Sequence, residues 1–191
     1  MDPTGSRCML IRHGETEWSR SRRHTGRTDV PLLPEGQKQA ESLRTSLAPC
    51  SFRLVLHSPL ARASETCRLA GLEAGAVTDP DLAEWDYGRY EGLTTPEILE
   101  EHPDWDLWRD GCPGGESPSQ VEARVDRVIA TVRSAPGDVA CVAHSHVLRA
   151  LVARWLGLPV DGGKYFVLDP ASLSILAWER GRPVVNLWNR T

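Results

Sequence analysis

The chain has 191 residues, 40% of them hydrophobic and 25% charged, and a formal net charge of −4 at pH 7. That length and composition suit one domain over 1–191 with a substantial core, and the acidic balance argues against broad nucleic-acid binding. No run approaches the roughly 18 apolar residues of a membrane span and no N-terminal signal pattern is read, so a cytoplasmic protein without membrane association is expected.

Residues 1–7 read as a loose tail, and CMLIRH (8–13) reads as a buried strand ending at a glycine, Gly14. Gly14 suits a tight turn that lets backbone approach a ligand. The next loop is densely basic, with Arg20, Arg22, Arg23, His24 and Arg27; it is either a solvated surface or a lure for a polyanionic substrate. Ala40, Leu43 and Leu47 recur at helical spacing within 35–47. FRLVLH (52–57) is a second apolar strand, followed by a helix with Ser58 as N-cap and Pro59 at its first position. His57 has no evident partner and reads as structural. The regular alternation then stops between Glu84 and Glu116, a stretch rich in turn residues that holds Trp85, Trp105 and Trp108. It reads as an excursion (85–116) over the sheet and the active site. Ser117 and Gln120 form a capping box ahead of an apolar stripe of Val121, Val125, Val128, Ile129 and Val132. DVACVA (138–143), a helix through VLRALVARWLG (147–157), and strands at YFVLD, LSILAWE and PVVNLW complete the pattern. The fold class is therefore α/β: a three-layer α/β/α sandwich around a mostly parallel sheet with an antiparallel component. The five cysteines, Cys8, Cys50, Cys67, Cys112 and Cys141, are widely spaced without a CxxC pair and read as free thiols.

Open α/β sheets bind ligands beyond the carboxyl ends of their strands. Three strands run there into Arg12 and His13, into the segment carrying Arg62, and into His144, Ser145 and His146. Two guanidinium forks suit a phosphoryl group, helix N-termini add amide donors, and a histidine among such donors can act as nucleophile. Neighbouring cations should keep that histidine unprotonated near neutral pH. His144 and His146 could instead suggest a metal site, but two histidines two apart on extended backbone point to opposite faces and no HExxH-like spacing supports them. No metal and no cofactor is expected.

At these residues the sequence resembles the histidine phosphatase superfamily, also called phosphoglycerate-mutase-like. RHGETEWS (12–19) resembles its nucleophile motif, TGRTDVPLLPEG (25–36) the segment after it, and SPLARASET (58–66) its second arginine motif. LAEWDYGRYEGL (82–93) resembles its acid motif and VAHSH (142–146) its second histidine motif. The resemblance implies a phosphoglycerate-mutase-like fold, His13 as phosphorylated nucleophile, and Arg12, Arg62 and His144 as the rest of a phosphate pocket. Glu84 would be proton donor and later base, with Asp86 its nearest rival. Ser19, Thr25, Gly26, Tyr87 and Ser145 match positions that contact phosphate or substrate.

Three departures bear on activity. Ser145 replaces the family's usual glycine, Ser19 replaces the mutases' asparagine, and Thr95 stands where mutases carry a lysine, with no paired arginines between Tyr90 and Glu116. A positive φ at Ser145 would be strained. Hydrolysis is thus favoured, and EWDYGRYEGLTT with WRDGCPGGES is similar to the acid phosphatase and sugar bisphosphatase subgroup, of which sedoheptulose-bisphosphatase is an example. The implied substrate is a small phosphorylated sugar or glycolytic acid, with Arg89, Arg109 or the 20–27 loop as candidates for a second phosphate. The alternatives are a cofactor-dependent phosphoglycerate mutase and a catalytically silent phospho-ligand binding module. Oligomeric state, a homodimer included, is not legible.

Overall fold

The computed structural model describes residues 6–191. Its strands are β1 (Cys8–Arg12), β2 (Leu54–His57), β3 (Val77–Thr78), β4 (Val139–Ala143), β5 (Leu173–Glu179) and β6 (Arg182–Arg190). They form one sheet in the order β3-β2-β4-β1-β5-β6. The first four are mutually parallel, β5 runs antiparallel to β1, and β6 runs antiparallel to β5 and so points the same way as the first four.

The helices are α1 (Glu17–Arg20), α2 (Pro34–Leu47), α3 (Ala61–Leu69), α4 (Thr95–Glu101), α5 (Leu107–Asp110), α6 (Pro118–Ser134) and α7 (Ser145–Trp155). Burial sorts them onto two faces. Cys8 and Leu10 of β1 join one apolar cluster with Val121, Val125, Leu148 and Leu151 of α6 and α7. Met9 and Ile11, one residue out of phase, join the other with Leu43 and Cys67 of α2 and α3. Strands covered on both sides are apolar throughout, which explains the unbroken runs at 8–11 and 139–143. No helix among the described residues is long and apolar enough to cross a membrane.

Several local expectations are corrected. Residues 1–5 of the expected tail lie outside the described residues. Arg7 is held, its backbone N–H and guanidinium both donating to the Asp138 carboxylate. The helix after β2 starts at Ala61 with Leu60 as N-cap. Ser58 does not cap it: its hydroxyl takes the Leu60 N–H at 3.3 Å and pairs with His144 at 2.7 Å. YFVLD is not a strand; Val160–Tyr165 winds as a 3-10 helix and the next residues run without strand pairing to the turn before β5. His57 does have partners, the Ser58 carbonyl at 2.9 Å and the Thr78 hydroxyl at 3.2 Å. Within the excursion, Trp85 and Trp108 pack edge to face in the core, 5.5 Å apart, and Trp105 is partly buried against it.

Candidate active site

The strand register delivers the site. Arg12 pairs with Ala143 across β1 and β4, and His57 with Val142 across β2 and β4. The chain therefore leaves three adjacent parallel strands at neighbouring points, placing His13, His144 and Ser58 side by side on the carboxyl edge. The His13 and Ser58 N–H groups donate to the β4 carbonyls of Ala143 and Val142, each at 3.0 Å. His13 is clamped from the far side as well, because Ala171 N–H donates to its carbonyl at 3.0 Å.

His13 is buried, with Nδ1 2.7 Å from the Gly14 carbonyl. A carbonyl only accepts, so Nδ1 carries the proton and Nε2 keeps its lone pair. Burial pushes the imidazolium pKa well below its ordinary 6.5, with the Arg12 and Arg62 charges acting in the same direction. The imidazole is neutral near pH 7 as a result. Its ring meets that of His144 edge to face at 5.0 Å.

His13 opens into a cavity of about 340 Å³ whose lining includes Arg12, Ser19, Thr25, Glu84, Tyr87 and Ser145. Seven of the ten expected site residues, His13 included, thus line one cavity. Arg12 donates to the Leu168 carbonyl through Nη1, while its buried Nε has no hydrogen-bond partner among the described residues. An unsatisfied guanidinium N–H beside an unprotonated imidazole is suited to an oxyanion.

Gly26, Arg62 and His144 do not line the cavity. Arg62 is fully buried and donates to the Thr25, Gly26 and Thr28 carbonyls and, from Nε, to His144 Nδ1 at 3.1 Å. Since Arg62 only donates, His144 carries its proton on Nε2 and donates it to Ser58 Oγ. Burial, then the Arg62 charge, holds His144 well below the ordinary pKa. In this state the pair supports the cavity wall, and Arg62 acts on His13 through its charge.

Glu84 is buried and accepts three backbone N–H groups: Trp85 at 3.0 Å and Val147 at 2.9 Å on Oε1, and His146 at 3.0 Å on Oε2. Two N–H groups occupy Oε1 and one occupies Oε2, so Oε2 has room for a proton. Asp86, its rival, is spent on Arg27 at 2.5 Å and the Gly88 N–H at 3.0 Å and does not line the cavity.

Some readings of the motif change. His146 sits in the first turn of α7, not on extended backbone, and its Nδ1 lies 2.6 Å from the Tyr87 hydroxyl. Burial raises Tyr87 well above 10 and lowers His146 well below 6.5, so the phenol donates. The Tyr87–His146 pair was not foreseen; HSH signalled it only as a metal alternative. Ser145 opens α7 and is absent from the positive-φ residues, so the feared strain does not arise. Gly14 serves packing: a Cβ there would lie 2.2 Å from the Gly36 carbonyl oxygen of α2. A larger cleft of about 580 Å³ on the excursion is lined by Glu101, Asp104 and Asp110, with Arg109 bound to Asp110, and offers little to an anion.

An α/β sheet that presents an unprotonated imidazole nitrogen beside an unsatisfied guanidinium, with a carboxyl in the same cavity, defines a phosphoryl-transfer enzyme. Residues 8–191 match the model of the histidine phosphatase superfamily (branch 1), and the chain belongs to that family. It is 45% identical over 179 residues to an acid phosphatase of Mycobacterium tuberculosis, covering 92% of this chain and 88% of that one. It is 38% identical over 190 residues to sedoheptulose 1,7-bisphosphatase of Saccharomyces cerevisiae, covering 81% and 69%. A solved structure of an open reading frame product of Mycobacterium tuberculosis superposes with a TM-score of 0.93 at 42% identity, covering 97% of this chain and 98% of that one. Family and relatives support hydrolysis of phosphoric monoesters as the activity.

Proposed function

We propose that the protein hydrolyses small phosphorylated sugars or phosphoglycerate-type acids through a phosphohistidine on His13, without a metal. The observation that carries this is the Nδ1–Gly14 carbonyl bond, which fixes the tautomer and leaves Nε2 free toward the cavity. Nε2 attacks phosphorus in line, the P–O bond to the leaving alcohol breaks, and Glu84 supplies the proton that alcohol needs. The Gly14 carbonyl then holds the proton of the cationic phosphoimidazole. Arg12 binds the equatorial oxygens, and the Arg62 charge stabilises them from behind the wall. Glu84, now a carboxylate, takes a proton from water as water attacks phosphorus, and the N–P bond breaks to free phosphate and restore His13.

Ser19, Thr25, Tyr87 and Ser145 are proposed as substrate contacts, and Gly26 and His144 as supports of the pocket. The reading extends to a single domain acting in the cytoplasm on small molecules. Phosphate release with EDTA present, from a panel of sugar phosphates, sugar bisphosphates, phosphoglycerates and an aryl phosphate, tests it. Release by wild type and none by His13→Ala is expected, and equal release by both would overturn the mechanism.

A further inference from the structure

Four arginines crowd the loop after His13, and three are already paired. Arg20 binds Glu15 at 2.5 Å, Arg27 binds Asp86 at 2.5 Å, and Arg23 binds Glu97 at 3.3 Å and the Gly92 carbonyl at 2.6 Å. Arg22 differs. It is exposed, it lines the mouth of the His13 cavity, and among the described residues its guanidinium has no hydrogen bond or ion pair.

Its backbone is unusual too. Helix α1 ends in a complete Schellman turn, with Arg23 N–H donating to the Trp18 carbonyl at 2.8 Å and Arg22 N–H to that of Ser19 at 3.3 Å. The residue at the turn's left-handed position is Arg22, at φ 58°. Glycine occupies that position at no steric cost, whereas a side chain there is strained. A strained residue at the rim of a site points to use of the side chain it carries. Of the other charged residues lining the cavity, Arg23 is paired as above and Asp169 is tied by both its N–H and its carboxylate to Asn189.

We infer that Arg22 is a specificity-determining residue, binding a second anionic group, phosphate or carboxylate, on the far side of a substrate whose phosphate sits at His13. This rests on the phosphatase reading above. A guanidinium that is unpaired in the free enzyme has no existing partner to lose, so the contact discriminates for substrates that carry a second anionic group.

The test measures kcat/KM for a sugar bisphosphate, the matched monophosphate and a phosphoglycerate in wild type, Arg22→Gly and Arg22→Lys. Arg22→Gly should lower the bisphosphate-to-monophosphate ratio about tenfold, mainly through KM, while raising Tm by about 2 °C because the turn relaxes. Arg22→Lys should restore much of the ratio. A fall confined to the phosphoglycerate assigns a carboxylate, and a fall confined to the bisphosphate a phosphate. An unchanged ratio for both substrates in a folded Arg22→Gly variant overturns the inference. Loss of turnover on every substrate in wild type would instead overturn the phosphatase reading itself.

Discussion

Glu84 Oε1 accepts the Val147 backbone N–H at 2.9 Å, so the carboxyl that shares a cavity with His13 is also the N-terminal cap of α7. The N-cap residue itself is His144, whose side chain makes no capping bond. A residue from a distant loop thus satisfies donors that the local sequence leaves open, and one side chain couples the proposed acid of the reaction to the stability of a core helix.

Glu84→Gln and Glu84→Ala should separate those two roles. The glutamine carbonyl can still serve Trp85 and Val147, but its amide meets the His146 N–H donor to donor, costing about 1 kcal/mol; alanine orphans all three donors and costs about 2–3 kcal/mol. Both should slow alkyl phosphate hydrolysis roughly 10²–10⁴-fold and affect activated aryl phosphates far less. Urea unfolding and paired kinetics measure this. Equal losses for aryl and alkyl esters would remove Glu84 as proton donor.

The neutral state of His13 predicts a particular pH profile. Since burial and the Arg12 and Arg62 charges lower its pKa well below 6.5, the acid limb of kcat/KM should lie below that value, because kcat/KM reports the free enzyme. Rapid denaturation during turnover should trap phosphate covalently on wild type and not on His13→Ala. A limb at or above pH 6.5 would mean that His13 is not the titrating nucleophile.

Stability should fall in the same direction. His13, His144 and His146 are each lowered well below 6.5 by burial first. Below pH 6.5 the unfolded chain binds protons that the folded chain refuses, so unfolding free energy falls as pH falls and levels off only at the folded pKa values. Each histidine contributes at most about 1.4 kcal/mol per pH unit. Urea midpoints between pH 7.5 and 5 measure the slope, and a flat profile would contradict the buried neutral histidines.

Gly14→Ala should destabilise the protein without touching the chemistry directly. Its new methyl would lie 2.2 Å from the Gly36 carbonyl oxygen, and two backbones cannot yield as a flexible side chain can. A loss of about 1–3 kcal/mol is expected, together with a fall in kcat as the adjacent His13 shifts. A variant as stable as wild type would show that the turn can open at no cost.

What the sequence makes legible is what is written in local pattern. The apolar runs at 8–11 and 139–143 are legible because both faces of those strands are covered, and Ser117 with Gln120 is legible because the whole capping box lies within one turn. Arg12, His13 and His144 follow from strands ending at one edge. What escaped depends on partners far along the chain. Ser58 has the chemistry of an N-cap, yet its hydroxyl is drawn to His144. The hydrophobic YFVLD resembles a strand, yet the Leu168 carbonyl is taken by Arg12. Gly14 needs to be small because of Gly36, and Glu84 is anchored by α7, relations that no window of residues contains.

The clamp on His13 has a consequence for how the enzyme comes into being. Ala171 N–H holds the His13 carbonyl and the Ser172 carbonyl holds the Arg12 N–H, so the proposed nucleophile is fixed by residues synthesised well after it. Until that later segment is synthesised, neither bond can form. A fragment lacking the 168–172 turn would lack both bonds that hold the proposed nucleophile at the sheet edge.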